Sequence, residues 1–202
     1  MSGAIVTPGR AHAQTRRRPR PARTRLFGLA PIAGAAIAVL LLTPIPASTQ
    51  DVTEPALKAA FIYNFAKFTD WPAGVVPATE PLVMCVLGDD AVSDALARTV
   101  RNREIAGRKM TVSRLPPNGA HGTCHILYVS GVTSSQAAHF VDGLADTPVL
   151  TLSDVEGFTK LGGIAELFFE RGQLRFDVYF PAVKRARLHI GSGLLALARK
   201  RR

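Results

Sequence analysis

The sequence predicts an α/β protein: a mostly parallel sheet flanked by helices, with an antiparallel hairpin near the C-terminus and a closing helix. Three observations predict it. Residues 82–87 and 124–129 are continuous apolar runs bounded by turn residues, the pattern of strands buried on both faces. Strand-length and helix-length segments alternate, which implies parallel strands joined by crossovers. Glu170-Arg171-Gly172-Gln173 separates two further runs with a hairpin-turn signature.

The first fifty residues stand apart from this pattern. They hold seven arginines (Arg10, Arg16, Arg17, Arg18, Arg20, Arg23 and Arg25) and no acid. An apolar run over 26–42, broken by Pro31, comes next, and then Thr43-Pro44-Ile45-Pro46-Ala47-Ser48-Thr49. A basic start, an apolar stretch and small residues are the parts of a secretion signal. Residues 1–47 are therefore expected to be removed, by a cut after Ala47 or within the next two residues. The run falls short of the ~20 apolar residues of a membrane span. An uncleaved anchor stays open, because Ile45 and Pro46 suit cleavage poorly, and so does a later translation start. The mature chain is expected in the periplasm.

The leader also explains the charge. The chain carries a formal +10, but without those seven arginines 18 Lys and Arg face 15 acids. A body so close to neutral lacks the dense basic face of a nucleic-acid binder. A single domain is expected over 53–198, with a basic tail at 199–202.

The domain opens with a helix over 53–71. Thr53 can cap it, Pro55 falls where its missing N–H costs little, and Trp71-Pro72 ends it. Leu57, Phe61, Phe65 and Phe68, with Ile62 beside them, form its apolar stripe, and Lys58, Asn64 and Lys67 lie away from it. After the strand 82–87 comes a helix over about 91–101, then an alternating strand over 110–115 and a Pro116-Pro117-Asn118-Gly119 loop. The strand 124–129 precedes a helix over about 133–144, and 149–152 forms another strand. Ser153-Asp154 is placed to cap a helical turn. The hairpin strands span 163–169 and 174–180, and Pro181 opens a last helix reaching about residue 197.

Few residue groups suggest chemistry. Cys85 and Cys124 fall on the first and third predicted strands, often neighbours in a doubly wound sheet. In an exported chain two cysteines favour a disulfide. It would close a loop of about 39 residues, worth on the order of 4 kcal/mol. Two reduced core cysteines are the alternative, and a redox-active pair lacks C-x-x-C spacing. His121, Cys124 and His125 lack the second ligand pair of a zinc site. Gly191-Ser192-Gly193-Leu194-Leu195-Ala196 spells a dinucleotide fingerprint, which needs a strand before it and a βαβ unit around it, but it sits inside or beside the last helix with no strand left to follow, so it reads as helix packing or a helix break. Asp89-Asp90 follows the first buried strand, where α/β sheets place ligands, yet helix capping explains it. No catalytic residue, cofactor or metal ligand is assigned. Tyr63 and Trp71 lie off the apolar stripe and are candidates for a partner surface.

The mature chain resembles the YfiR-like proteins of Gram-negative bacteria over about 55–198. The resemblance is carried by Lys58-Ala59-Ala60-Phe61-Ile62-Tyr63-Asn64-Phe65-Ala66-Lys67-Phe68 with Trp71-Pro72, and by Cys85-Val86-Leu87-Gly88-Asp89-Asp90. Gly122-Thr123-Cys124-His125-Ile126-Leu127-Tyr128-Val129-Ser130 adds to it, as do Pro148-Val149-Leu150-Thr151-Leu152-Ser153-Asp154, Gly157-Phe158 and Gly162-Gly163-Ile164. Their order and spacing are specific together. The resemblance implies a periplasmic, non-enzymatic α/β regulator that binds and restrains an inner-membrane diguanylate cyclase through that enzyme's periplasmic part, lowering the biofilm signal cyclic di-GMP. With two cysteines only, any second disulfide found in relatives is absent here. The alternative function is a periplasmic small-molecule-binding sensor subunit of another membrane signalling protein, using the crevice after the strands. A homodimer is left open.

Overall fold

The computed structural model describes residues 52–116 and 123–199. The leader and its cleavage site, residues 117–119 of the predicted loop, His121, Gly122 and residues 200–202 of the basic tail lie outside the described residues.

Seven strands form one sheet: β2 (Leu82–Leu87), β3 (Glu104–Ile105), β4 (Arg108–Leu115), β5 (Ile126–Val129), β6 (Leu150–Ser153), β7 (Ala165–Glu170) and β8 (Gln173–Val178). Their order is β3-β4-β2-β5-β6-β7-β8. The β2–β4, β2–β5, β5–β6 and β6–β7 pairs are parallel. The edges are antiparallel, β3 on β4 and β8 on β7. The fold is thus the mostly parallel sheet with a C-terminal hairpin that the sequence predicts. The hairpin turns at Arg171 (φ 52°) and Gly172 (φ 76°), and two successive left-handed residues match the right-handed strand twist.

Side chains alternate between the two faces of the sheet. Met84, Val86, Ile126, Tyr128, Leu150 and Leu152 pack in one core with α1 (Glu54–Lys67) and α2 (Asp90–Val100). Leu87, Leu127, Val129, Phe158 and both cysteines face the other way, toward α3 (Ser134–Gly143). Two helix starts match their sequence signals. The Asp89 carboxylate accepts from the Val92 N–H at 2.9 Å, and Thr133 and Gln136 close a capping box.

Both ends of the domain differ from expectation. The first helix stops at Lys67, four residues before Trp71, and Thr53 caps it by backbone geometry without a side-chain bond. Thr69–Asp70 becomes the short strand β1, paired antiparallel with β9 (His189–Ile190). The buried face is also rotated from the predicted stripe. Ala59, Ile62, Phe65 and Ala66 are buried, and Phe68 is 41% exposed. Phe65 and the half-buried Phe61 meet Phe176 edge-on, at 5.0 and 5.9 Å between ring centres.

The predicted closing helix is two short ones, α4 (Phe180–Arg185) and α5 (Ser192–Leu195), on either side of β9. Arg187 causes the break. It sits at φ 55°, its N–H bonds to Lys184 O, and the Leu188 N–H bonds to Val183 O. That pair of bonds is the Schellman motif, here with Arg in the position usually held by Gly. Arg199, expected to open the basic tail, is tied to β8 instead. Its N–H bonds to Phe176 O, and its guanidinium grips Asp177 and lies 4.0 Å above the Phe168 ring.

Candidate functional site

The order β4-β2-β5 makes the C-terminal ends of β2 and β5 the topological switch point, where α/β sheets open their ligand crevice. Here the two strand ends are pressed together. Gly88 (φ +82°) and Gly131 (φ +63°) face one another, and a Cβ on Gly131 would come within 2.6 Å of Gly88 O. Neither position accepts a side chain, because each is both left-handed and in contact with the opposite backbone.

A charged cluster lies next to it, just past the C-terminal ends of β5 and β6. Lys58 reaches it from α1, and its Nζ donates to Asp154 Oδ2 at 2.6 Å and pairs with Glu54 at 2.5 Å. Ser130 Oγ donates to the same Asp154 oxygen at 3.0 Å. Burial alone would lower the Lys58 pKa, but its bonds to Asp154 and Glu54 outweigh that and hold it above the ordinary value of 10.5. Beneath the cluster the fully buried Tyr128 hydroxyl lies near Asp154 and Ser130 but has no partner in good hydrogen-bonding geometry among the described residues. Burial first, and then the Asp154 carboxylate, push that phenol far above its usual range. Asp154 therefore serves as an anchor for α1, and the predicted turn-capping falls to Ser153, whose Oγ accepts from the Val155 N–H at 2.9 Å. The available signal for this cluster was the i,i+4 pair Glu54–Lys58 on a helix otherwise rich in apolar residues.

Cys85 and Cys124 are joined by a disulfide, with Cα atoms 5.8 Å apart. It ties β2 to the segment entering β5. His125 reinforces the junction. Its Nδ1 accepts from the Val83 N–H at 3.0 Å and its Nε2 lies 3.3 Å from Val75 O. Nδ1 must be bare to accept, so the proton sits on Nε2 and the ring is neutral. Burial lowers the His125 pKa in the same direction. Among the described residues no group of three or more His, Cys, Asp and Glu is placed to hold a metal.

The two aromatic candidates for a partner surface are both half-buried. Tyr63 lies under the Arg103 guanidinium, 5.1 Å from its ring centre. Trp71 and Thr69 line a cleft, and their Nε1 and Oγ1 atoms are closed to solvent with no hydrogen-bond partner among the described residues. Each orphaned polar atom costs about 1–3 kcal/mol. The Gly191-Ser192-Gly193 run starts α5, where the Gly191 N–H bonds to Phe68 O at 2.8 Å.

Fold and site together define a disulfide-bridged, doubly wound α/β domain whose first helix is locked to the switch point by an ion-pair cluster. The chain belongs to the YfiR/HmsC-like family, whose model matches residues 55–199. That family is regulatory rather than catalytic, and membership implies a periplasmic role in diguanylate cyclase signalling. No curated protein matches the chain. Among the described residues no helix is long and apolar enough to cross a membrane.

Proposed function

We propose that this domain binds the periplasmic part of an inner-membrane diguanylate cyclase, holds the enzyme in its less active state and so lowers cyclic di-GMP. The observation that carries this reading is the family match over 55–199, which runs from the first turn of α1 to Arg199. Restraint needs no chemistry from the domain. A protein that binds one state of a receptor more tightly shifts the receptor toward that state by the difference in affinity. The leader supports export and the disulfide suits an oxidising compartment. Tyr63 with its stacked Arg103 is the proposed partner contact, and Trp71 stays a second candidate. For a small-molecule sensor the ligand would sit at the strand ends, where Gly88 and Gly131 already press together and Lys58, Ser130 and Asp154 are bonded to one another alongside.

The test is cyclic di-GMP measured in four strains. Deleting this protein is expected to raise it, and deleting the cyclase as well is expected to remove the rise. Exported protein restores the low level, and a leaderless form confined to the cytoplasm does not. Unchanged cyclic di-GMP in the single deletion, with the cyclase expressed and active, overturns the reading.

A further inference from the structure

Asp177 is the last acid of the sequence, and residues 178–202 hold seven Lys and Arg with no Asp or Glu. Part of this stretch forms one exposed helix face. In α4 (Phe180–Arg185) Ala182 and Val183 are buried, which leaves Phe180, Pro181, Lys184 and Arg185 exposed. Phe180 with Lys184, and Pro181 with Arg185, are i,i+4 neighbours, so the ring, the proline and both cations share that face. Phe180 is 52% exposed and Tyr179, just before the helix, 36%. Arg187 is exposed just past the helix.

Tyr179, Phe180 and Pro181 also line a recess of about 320 Å³ with Thr159, Lys160 and Val178, and Lys160 is the charged residue of that lining. Two acids, Asp142 and Asp146, line a separate cleft, which Lys160, Tyr179 and Arg185 border as well. Arg185 is partly engaged there, donating from Nη2 to Gly162 O at 3.3 Å. Lys160, Lys184, Arg185 and Arg187 therefore outnumber those acids. None of the four forms an ion pair among the described residues. Arg199 is fixed on Phe176 and Asp177, in the strand that leads into α4, so Lys200, Arg201 and Arg202 follow from the same part of the fold.

The mixture of side chains selects the partner. Lysine is depleted from the cores of protein–protein interfaces, yet Lys160 and Lys184 flank the two exposed rings. A lipid surface suits the same mixture. Aromatic rings settle at head-group level, and Lys and Arg keep their charged ends in water beside the phosphates. We propose that the α4 face docks the domain on a phospholipid surface with anionic head groups. Phe180 and Tyr179 enter the head-group layer, and Lys160, Lys184, Arg185 and Arg187 pair with phosphates. The proposal does not rest on the cyclase reading, because lipid binding is measured without any protein partner.

The test is co-sedimentation of the oxidised protein with vesicles of phosphatidylcholine alone or with about 30% phosphatidylglycerol. Binding to the anionic vesicles at ~0.1 M NaCl is expected to be at least about tenfold stronger than to the neutral ones, and to be lost near ~0.5 M. Lys160→Gln with Lys184→Gln is expected to weaken it about tenfold, and Phe180→Ala about fivefold, with urea midpoints showing that both variants stay folded. Arg98→Gln with Lys109→Gln removes the same charge from exposed positions on α2 and β4, and is expected to change binding by less than about twofold. No binding to the anionic vesicles at ~0.1 M NaCl overturns the proposal and hands the face to an acidic protein partner. Equal binding to both kinds of vesicle overturns it too. So does a loss in the Arg98/Lys109 variant as large as that in the Lys160/Lys184 variant, or wild-type binding by folded Phe180→Ala.

Discussion

The His125 imidazole accepts one backbone N–H and faces one backbone carbonyl, so only its neutral form fits between Val83 and Val75. Its pKa is lowered from 6.5, first by burial. A base whose folded pKa lies below its unfolded one takes up its proton more readily when unfolded. Its contribution to stability is therefore complete above about pH 6.5 and is lost as pH falls through the folded pKa. Urea unfolding from pH 7.5 to 5 is expected to show this loss, and His125→Ala should flatten that part of the curve. His125→Ala also strands the Val83 N–H, at a cost of about 2 kcal/mol. An unchanged pH dependence in the variant would reject the neutral-staple account. Lys58 has the opposite sign. Its folded pKa is raised, so its contribution is complete below about 10.5 and is lost only as pH rises through the folded pKa. Lys58→Met leaves Asp154 without its cation, and because Asp154 keeps some exposure the expected loss is about 2 kcal/mol rather than the full buried-pair value. Adding Asp154→Asn should recover part of it. A double variant no more stable than Lys58→Met would show that the charge left behind is not the cause.

At the scale of elements, legibility followed the length of the contact that fixes each one. The strands β2 and β5 and the β7–β8 hairpin are continuous apolar runs with local turn residues, and they stand close to where the sequence puts them. The strands β1 and β9 have two residues each, and they pair across more than a hundred positions. Nothing local distinguishes Thr69-Asp70 from one more turn of helix. The buried face of α1 departs from the aromatic stripe for a related reason. Large aromatic residues marked the stripe, but a helix packed closely on its neighbours buries small residues, here Ala59 and Ala66. Lys58 lies away from the expected stripe, and nothing local announces its burial because its partner Asp154 lies 96 residues away. The break after α4 was hidden because Arg187 replaces the glycine that normally announces it. That last substitution is testable. A non-glycine residue in the left-handed region costs about 1 kcal/mol, and Arg187 is exposed, so no packing is lost with it. Arg187→Gly is expected to stabilise the domain by up to that amount, and Arg187→Val to destabilise it. Urea midpoints of the two variants decide the matter, and a glycine variant no more stable than the wild type would remove the strain from the account.

For the whole molecule, the disulfide separates two ways in which a regulator can fail. Cys85 and Cys124 are 2% and 7% exposed and sit in the core between the sheet and α3, away from the α1 face. A bridge so placed cannot contact a partner and acts through the fold. Its loop of 39 residues implies a stabilisation on the order of 4 kcal/mol in the chain-entropy model. Replacing both cysteines by serine avoids leaving a lone thiol and should lower unfolding free energy by about 3–4 kcal/mol. That is a large share of the ~5–15 kcal/mol typical of a domain. The variant is expected to accumulate less in cells, and under the proposed restraint of the cyclase cyclic di-GMP should rise as the amount of folded protein falls. Raising expression until the folded amount matches the wild type should then bring cyclic di-GMP back down. The measurement pairs folded protein, quantified by protease resistance, with cyclic di-GMP in the same cells. A variant as abundant and as protease-resistant as the wild type that still failed to lower cyclic di-GMP would assign the bridge a direct role in restraint, contrary to its burial.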